Sequence, residues 1–458
     1  MKKQAFNPYL PSWEYIPDGE PYVFGDRVYI YGSHDLFNGW VFCLGDYICY
    51  SAPVDDLSDW RYEGVIYPKT SDPFNKDGSM CLYAPDVTVG PDGRYYLYYV
   101  LDKVNVVSVA VCDTPAGKYE FYGYVHYADG TLLGNREGDE PQFDPGVITE
   151  NGKTYMYTGF CGHGDKSRHG AMCTTLAEDM LTVIEEPVFV VPGSQYSNGT
   201  EFAGHPFFEA SSIRKIGDTY YFVYSSAYMT ELCYATSKNP RGDFKYGGCI
   251  IANCDLHIDT YKDAELRTNV TGNNHGSIVE INGEWYVFYH RQTNGTWFSR
   301  QDCAEKINIL PDGSIPQVEI TSCGLNGGPL EGKGYYPAYI ACNVFNREGG
   351  HPKITQDGCD GSEIDGHIAE IKNGSIIGFK YFDFKDTKEI SIWTRGYCHG
   401  RFLIRTSIDG EVLGEIPVNG TNIWVERKTE VAIPNGVGSL YFEFEGGQGP
   451  HFKGFEIK

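Results

Sequence analysis

Five residues able to do acid, base or ligand chemistry recur in phase along the first two thirds of the chain. Asp18, Asp86, Asp144, Glu209 and His275 each stand 7 or 8 positions before a turn glycine, at Gly25, Gly93, Gly152, Gly217 and Gly283. If each opens the innermost strand of its unit, four carboxyls and an imidazole converge on one cavity. Like charges held together raise one another's pKa values, which is costly for stability and useful for acid and base chemistry. Any one of these carboxylates, taken alone, reads equally well as the cap of a turn. Recurrence in phase is what singles out the set, and Asp144, inside Phe-Asp-Pro-Gly, is its most turn-like member.

The elements that must position them are hairpins. Each turn glycine leads into a short aromatic strand, as at residues 28–31, 95–98, 155–157, 220–224 and 285–288. The glycines fall 59 to 68 residues apart, room for four strands of ordinary length with their loops. Four-stranded units repeated radially make a β-propeller, here with five blades. A pair of sandwiches would not account for five near-equal periods. Composition agrees with an all-β fold, since 15 % of the 458 residues are aromatic and 55 are glycine.

The formal charge of -24 argues against nucleic acid and anionic membrane surfaces as partners. No apolar run is long enough to cross a bilayer as a helix. Asn7, Pro8 and Pro11 interrupt any apolar stretch behind the N-terminal lysines, so no export signal is read and a cytoplasmic location is expected. The 14 cysteines are scattered, with no C-x-x-C pair, and read as reduced, buried small side chains.

Opposed carboxyls in an acidic, aromatic-rich chain suggest glycoside hydrolysis, in which a protonated acid meets the leaving oxygen and a carboxylate activates water. Partners placed across an axial pit leave space for that water and imply inversion. Asn7-Pro-Tyr-Leu-Pro with Pro17-Asp18, Ala84-Pro-Asp86-Val, Phe208-Glu209-Ala-Ser-Ser-Ile-Arg and His275-Gly-Ser-Ile resemble the motifs of glycoside hydrolase family 43 over residues 5 to 325. The resemblance implies an inverting five-bladed propeller acting on arabinose- and xylose-containing glycans. It makes Asp18 the general base, Asp86 the carboxylate that tunes the acid, and Glu209 the general acid. Asp18 is followed by Gly-Glu-Pro where much of the family has Pro-Ser, which leaves Glu20 as a rival base, and Glu209 is followed by Ala-Ser-Ser rather than Gly-Pro.

The same resemblance implies that His275 holds a hydrated calcium on the propeller axis, although a core histidine is the plainer reading. No cofactor is required for the chemistry itself. Arg291 resembles the family's sugar-contacting arginine, Asp144 is placed with the substrate-binding residues, and Trp40 and His34 are read as walls of the sugar subsite. The implied activity is exo-acting release of α-L-arabinofuranose from arabinoxylan-derived oligosaccharides. The alternatives are a β-D-xylosidase and, from other classes, a non-catalytic glycan-binding propeller or a scaffold propeller.

The propeller period stops near the Gly-rich stretch at residues 326–337, dividing the chain into 1–325 and 326–458. The second part alternates on a period of two and reads as a β-sandwich. It resembles a family 6 carbohydrate-binding module, with Tyr397 and Trp424 as candidate sugar-stacking aromatics. Its tail lacks that family's Asn-x-Asp pattern, so a buttress for the propeller is an equal reading.

Overall fold

The structure is a computed structural model that describes residues 3–258, 263–358 and 366–458. Five antiparallel sheets form the first part. Four have four strands in sequential order and the fifth has three, with innermost strands Glu20–Phe24, Asp86–Val89, Gly146–Glu150, Phe207–Ile216 and Ser277–Ile281. Neighbouring innermost strands touch around a ring, the first against the fifth included, and Tyr22 of the first strand donates to Asp86 of the second.

The near-continuous apolar runs follow from packing on both sheet faces. In Thr219–Ser226, Tyr220, Phe222 and Tyr224 pack toward blade 3, while Tyr221 and Val223 pack toward blade 5. Blade 2 repeats the pattern, with Tyr96, Tyr98 and Val100 on one side and Leu97 and Tyr99 on the other. Each inter-blade seam is thus a small hydrophobic core, and truncating a fully buried ring such as Phe222 would cost about 3–5 kcal/mol.

Blade 5 is completed by the N-terminal segment. Tyr9 N–H donates to Asp302 C=O, and the Asn7 side chain both donates to Ala304 C=O and accepts from Ala304 N–H, each at 2.9 Å. The start of the chain therefore closes the ring along the free edge of Arg300–Ile307.

Beyond the propeller, strands from Leu330–Gly332 to His451–Ile457 form one ten-stranded sheet that curls around a single core rich in Phe and Ile. Its longest hairpin pairs Glu389–Arg405 with Gly414–Glu430. This domain docks on blades 4 and 5. Lys380 Nζ lies 3.2 Å from Asp255 Oδ2, and Ile354 N–H donates to Thr293 C=O at 3.1 Å. Trp424 is covered by the Arg395 guanidinium at 4.2 Å and by Lys453, whereas Tyr397 is exposed. No disulfide forms among the described cysteines.

Candidate active site

The axial mouth opens into a cavity of about 370 Å³, at the small end of the range for ligand pockets. Asp18, Asp144, Glu209 and His275 line it, with Arg300, Trp297 and several phenylalanines. Three of the four sequence-singled residues reach it from the same place. Asp18, Asp144 and His275 each stand two residues ahead of their innermost strand.

Glu209 arrives differently, from inside its strand. The register with the neighbouring strand shifts on both sides of Glu209, and Ala210 adopts φ +69°, so a bulge turns the carboxyl toward the pocket. Asp18 and Asp144 also sit at positive φ, +62° and +44°. Asp tolerates this region better than most residues, and concentrated backbone strain of this kind marks functional sites.

Asp86 is not in the pocket, contrary to the sequence expectation. It begins its strand instead of preceding it, so Tyr83 and Ala84 line the cavity in blade 2. The physical reason is the hairpin. Blade 2 turns through the five residues between Val89 and Tyr95, while blades 1, 3, 4 and 5 turn through two. Counting back from its turn glycine therefore misplaces the phase. Asp86 is fully buried one layer deeper, accepting from Tyr22 Oη–H and Val147 N–H, each at 2.6 Å. Glu20 shares that layer, where Arg214 Nη2 donates to its Oε2 at 2.6 Å. Neither Glu20 nor Asp86 lines the cavity.

Arg291 is also placed elsewhere. Its guanidinium is buried, with Nε against Cys303 Sγ and Nη1 donating to Ala341 C=O at 3.1 Å, which makes it a fastener between propeller and C-terminal domain. The arginine in the pocket is Arg300, which the sequence motifs did not flag. His34 packs against Gly45 with Nδ1 3.1 Å from Asp46 C=O, and Trp40 lies exposed on the rim loop; neither lines the cavity. The half-exposed Trp297 supplies the aromatic wall. Its loop is held to the rim loop by Asn294 donating to Asn38 at 3.1 Å.

Electrostatics separate the carboxyls into roles. Burial raises the Asp18 pKa, but the Arg300 guanidinium, donating from Nη1 to Oδ1 at 2.9 Å, together with His290 and His275 outweighs it and holds Asp18 below the usual carboxylate range. His290 stands beside Asp18 in neutral form. Asp18 N–H donates to its Nδ1, its Nε2 faces Asn273 C=O at 2.9 Å, and burial pushes its pKa down to about 3. Glu209 is pushed up to about 8 by burial and by the Asp18 charge. Asp144 is raised too, by burial and by Glu209, although Ala210 N–H donates to its Oδ2 at 3.1 Å. At neutral pH the pocket holds an ionised Asp18 and a protonated Glu209.

His275 points Nδ1 at Asp18 and Asp144, at 3.8 and 3.7 Å, and burial lowers its pKa. Calcium takes six to eight oxygen ligands. Asp18 is already committed to Arg300, and among the described residues His275 joins no cluster of three donors within metal reach. The protein groups here do not build a calcium shell, and the chemistry below uses none.

The model of the family described as Glycosyl hydrolases family 43 matches residues 18–315. A xylosidase/arabinosidase of Thermoclostridium stercorarium is 67 % identical, covering 100 % of this chain and 99 % of the relative. A xylosidase/arabinosidase of Bacteroides ovatus is 31 % identical over 68 % of this chain and 97 % of its own length. Among solved structures, a Bacillus subtilis arabinoxylan arabinofuranohydrolase in complex with cellotetraose shares the fold, with a TM-score of 0.54 and 23 % identity over 99 % of this chain and 97 % of that one.

Proposed function

The chain belongs to glycosyl hydrolase family 43, and from that premise we propose an inverting, exo-acting enzyme that releases α-L-arabinofuranose from arabinoxylan-derived oligosaccharides. The observation that carries the mechanism is that Asp18 and Glu209 line one cavity with the Arg300 guanidinium bonded to Asp18, which drives the two pKa values apart. Asp18, kept ionised by Arg300, takes a proton from the attacking water. Glu209, kept protonated by burial and by the Asp18 charge, gives its proton to the leaving glycosidic oxygen.

Asp144 takes the tuning role that the sequence expectation gave to Asp86. It forms one buried pair with Glu209 in which ionisation of either carboxyl opposes that of the other, so Asp144 stays protonated when Glu209 gives its proton up. The small volume of the cavity, about 370 Å³, supports removal of terminal sugars, and Trp297 offers a ring face to the sugar's C–H surface. A second reading, release of β-D-xylose, is favoured by the double name of the 67 % identical relative.

Hydrolysis of the p-nitrophenyl glycosides of α-L-arabinofuranose and β-D-xylose by wild type, with natural arabinoxylo-oligosaccharides given to wild type and Glu209→Ala, tests both. Arabinoside cleavage supports the first reading and xyloside cleavage alone reverses the sugar. Oligosaccharide cleavage that survives undiminished in Glu209→Ala removes Glu209 as the acid.

A further inference from the structure

Outside the catalytic cavity, blade 4 gathers nitrogen, oxygen and sulfur donors at one point. His205 precedes the strand Phe207–Ile216, Glu231 and Cys233 open the strand Glu231–Ser237, and His257 follows the turn Asn253–Asp255. His205 Nδ1 lies 2.9 Å from Glu231 Oε2, and Cys233 Sγ lies 3.7 Å from the same oxygen. The three donor atoms all fall within 4.8 Å of one another. The second imidazole, His257 Nε2, meets the other oxygen, Glu231 Oε1.

We propose that His205, Glu231, Cys233 and His257 form a zinc site that fastens the blade 4 loops beside the catalytic cavity. A tetrahedral zinc with bonds of 2.0 Å to N or O and 2.3 Å to S has ligand-to-ligand edges of about 3.3–3.5 Å; the His205–Glu231 and Glu231–Cys233 spacings of 2.9 and 3.7 Å straddle these edges, and His257 reaches the site through the other oxygen of Glu231. One thiolate, one carboxylate and two imidazoles are a donor set that selects zinc over calcium or magnesium. The supporting groups are in place as well. Ser226 Oγ–H donates to Glu231, the Tyr246 hydroxyl lies 4.0 Å from Cys233 Sγ, and the His205 ring stacks on Tyr246 at 4.9 Å. Such outer contacts orient ligands and are a regular part of metal sites.

The position gives the metal a purpose. Met229, which lines the catalytic cavity, sits in the turn between Ser226 and Glu231. Asn274, next to the cavity residues Asn273 and His275, donates to Thr230 C=O at 3.2 Å. A metal that ties His205 and His257 to Glu231 and Cys233 pins this wall from outside, without touching the reacting atoms.

The test uses the full chain, stripped with a chelator and titrated with Zn²⁺ and, in parallel, Co²⁺. The expected result is one Zn²⁺ per chain, a Tm raised by several degrees at saturation, and a thiolate-to-cobalt charge-transfer band. All three are lost in Cys233→Ala and in His205→Gln, and kept in Cys112→Ser, whose thiol lies far from the cluster. Should Cys233→Ala fail to fold, His257→Gln, at a partly exposed position, must weaken binding at least tenfold. Zinc binding that survives these substitutions, or no Tm change and no cobalt band in the wild type, overturns the proposal and leaves an ion-pair cluster of Glu231 with two histidines.

Discussion

Arg300 Nη1 lies 2.9 Å from Asp18 Oδ1 while its Nε and Nη2 grip the two oxygens of Asp35 at 2.8 and 3.0 Å. The guanidinium also lies over the Phe42 ring at 4.8 Å. A cation fixed on three sides costs nothing to reorganise when water attacks, and it keeps the base charged inside a buried pocket. Asp18 needs this more than an exposed carboxylate would, because burial alone pushes its pKa up.

Replacing Arg300 tests that dependence. As the proposed base Asp18 must be ionised to act, so its lowered pKa is expected to place the acidic limb of kcat/KM below the usual carboxylate range. In Arg300→Met the lost cation raises the Asp18 pKa and moves that limb up by about 1–3 pH units. Stability falls as well, since Asp35 is left buried without its partner. Arg300→Lys keeps the charge but not the bidentate grip, and is expected to hold the limb in place while lowering kcat. A pH profile of the three proteins reads all of this.

Asp144 and Asp86 give opposite expectations. As the proposed acid Glu209 acts in its protonated form, so its pKa of about 8 is expected to set the basic limb. Asp144→Asn removes the carboxyl whose titration is tied to that of Glu209, so the basic limb becomes a single ionisation and kcat falls. Asp86→Asn leaves the limb where it is. It puts an NH₂ group against the Tyr22 hydroxyl or Val147 N–H, so the loss appears as stability, about 1–3 kcal/mol, read as a lower Tm. A basic limb that changes in Asp86→Asn and not in Asp144→Asn would restore the tuning role to Asp86.

The ring was legible in the sequence because a hairpin of fixed length keeps its strand in phase with its turn glycine. That held in blades 1, 3 and 5, where Asp18, Asp144 and His275 each lead the inner strand by two residues. It held for Glu209 only because the bulge absorbs the extra position. It failed at Asp86, where a longer turn breaks the count. Arg300 had no such signal, since it begins the third strand of blade 5 and reaches Asp18 across the pocket. Only the pairing Gln292↔Arg300, which sets that strand beside the one carrying His290, brings it there. Arg291 carried a misleading signal. It neighbours His290 in sequence, but alternation along a strand sends adjacent side chains to opposite faces, so one meets Asp18 and the other meets Ala341.

That alternation makes Arg291 a probe of the domain contact. Arg291→Met removes a charged donor from Ala341 C=O inside a buried seam, between the propeller and the sheet that docks on it. The expected effect is a Tm lowered by several degrees, with KM for aryl glycosides within a few-fold of wild type. A large rise in KM at unchanged Tm would return Arg291 to the sugar site.

Glu209 offers the sharpest separation of roles, through the leaving group. Protonation of the glycosidic oxygen matters in proportion to how poorly that oxygen leaves. Glu209→Gln keeps the shape of the side chain and removes only the transferable proton, so general acid catalysis worth about 10²–10⁴-fold is lost on natural oligosaccharides. On aryl glycosides with strongly acidic phenols the loss shrinks toward unity, because the phenolate departs without help. The basic limb that Glu209 sets near pH 8 disappears in the same variant. Asp18→Asn loses activity on both substrate types, since water must be activated whatever leaves. A Brønsted plot of log kcat against leaving-group pKa, steep for Glu209→Gln and shallow for wild type, confirms the assignment, and equal slopes would assign the proton to another group.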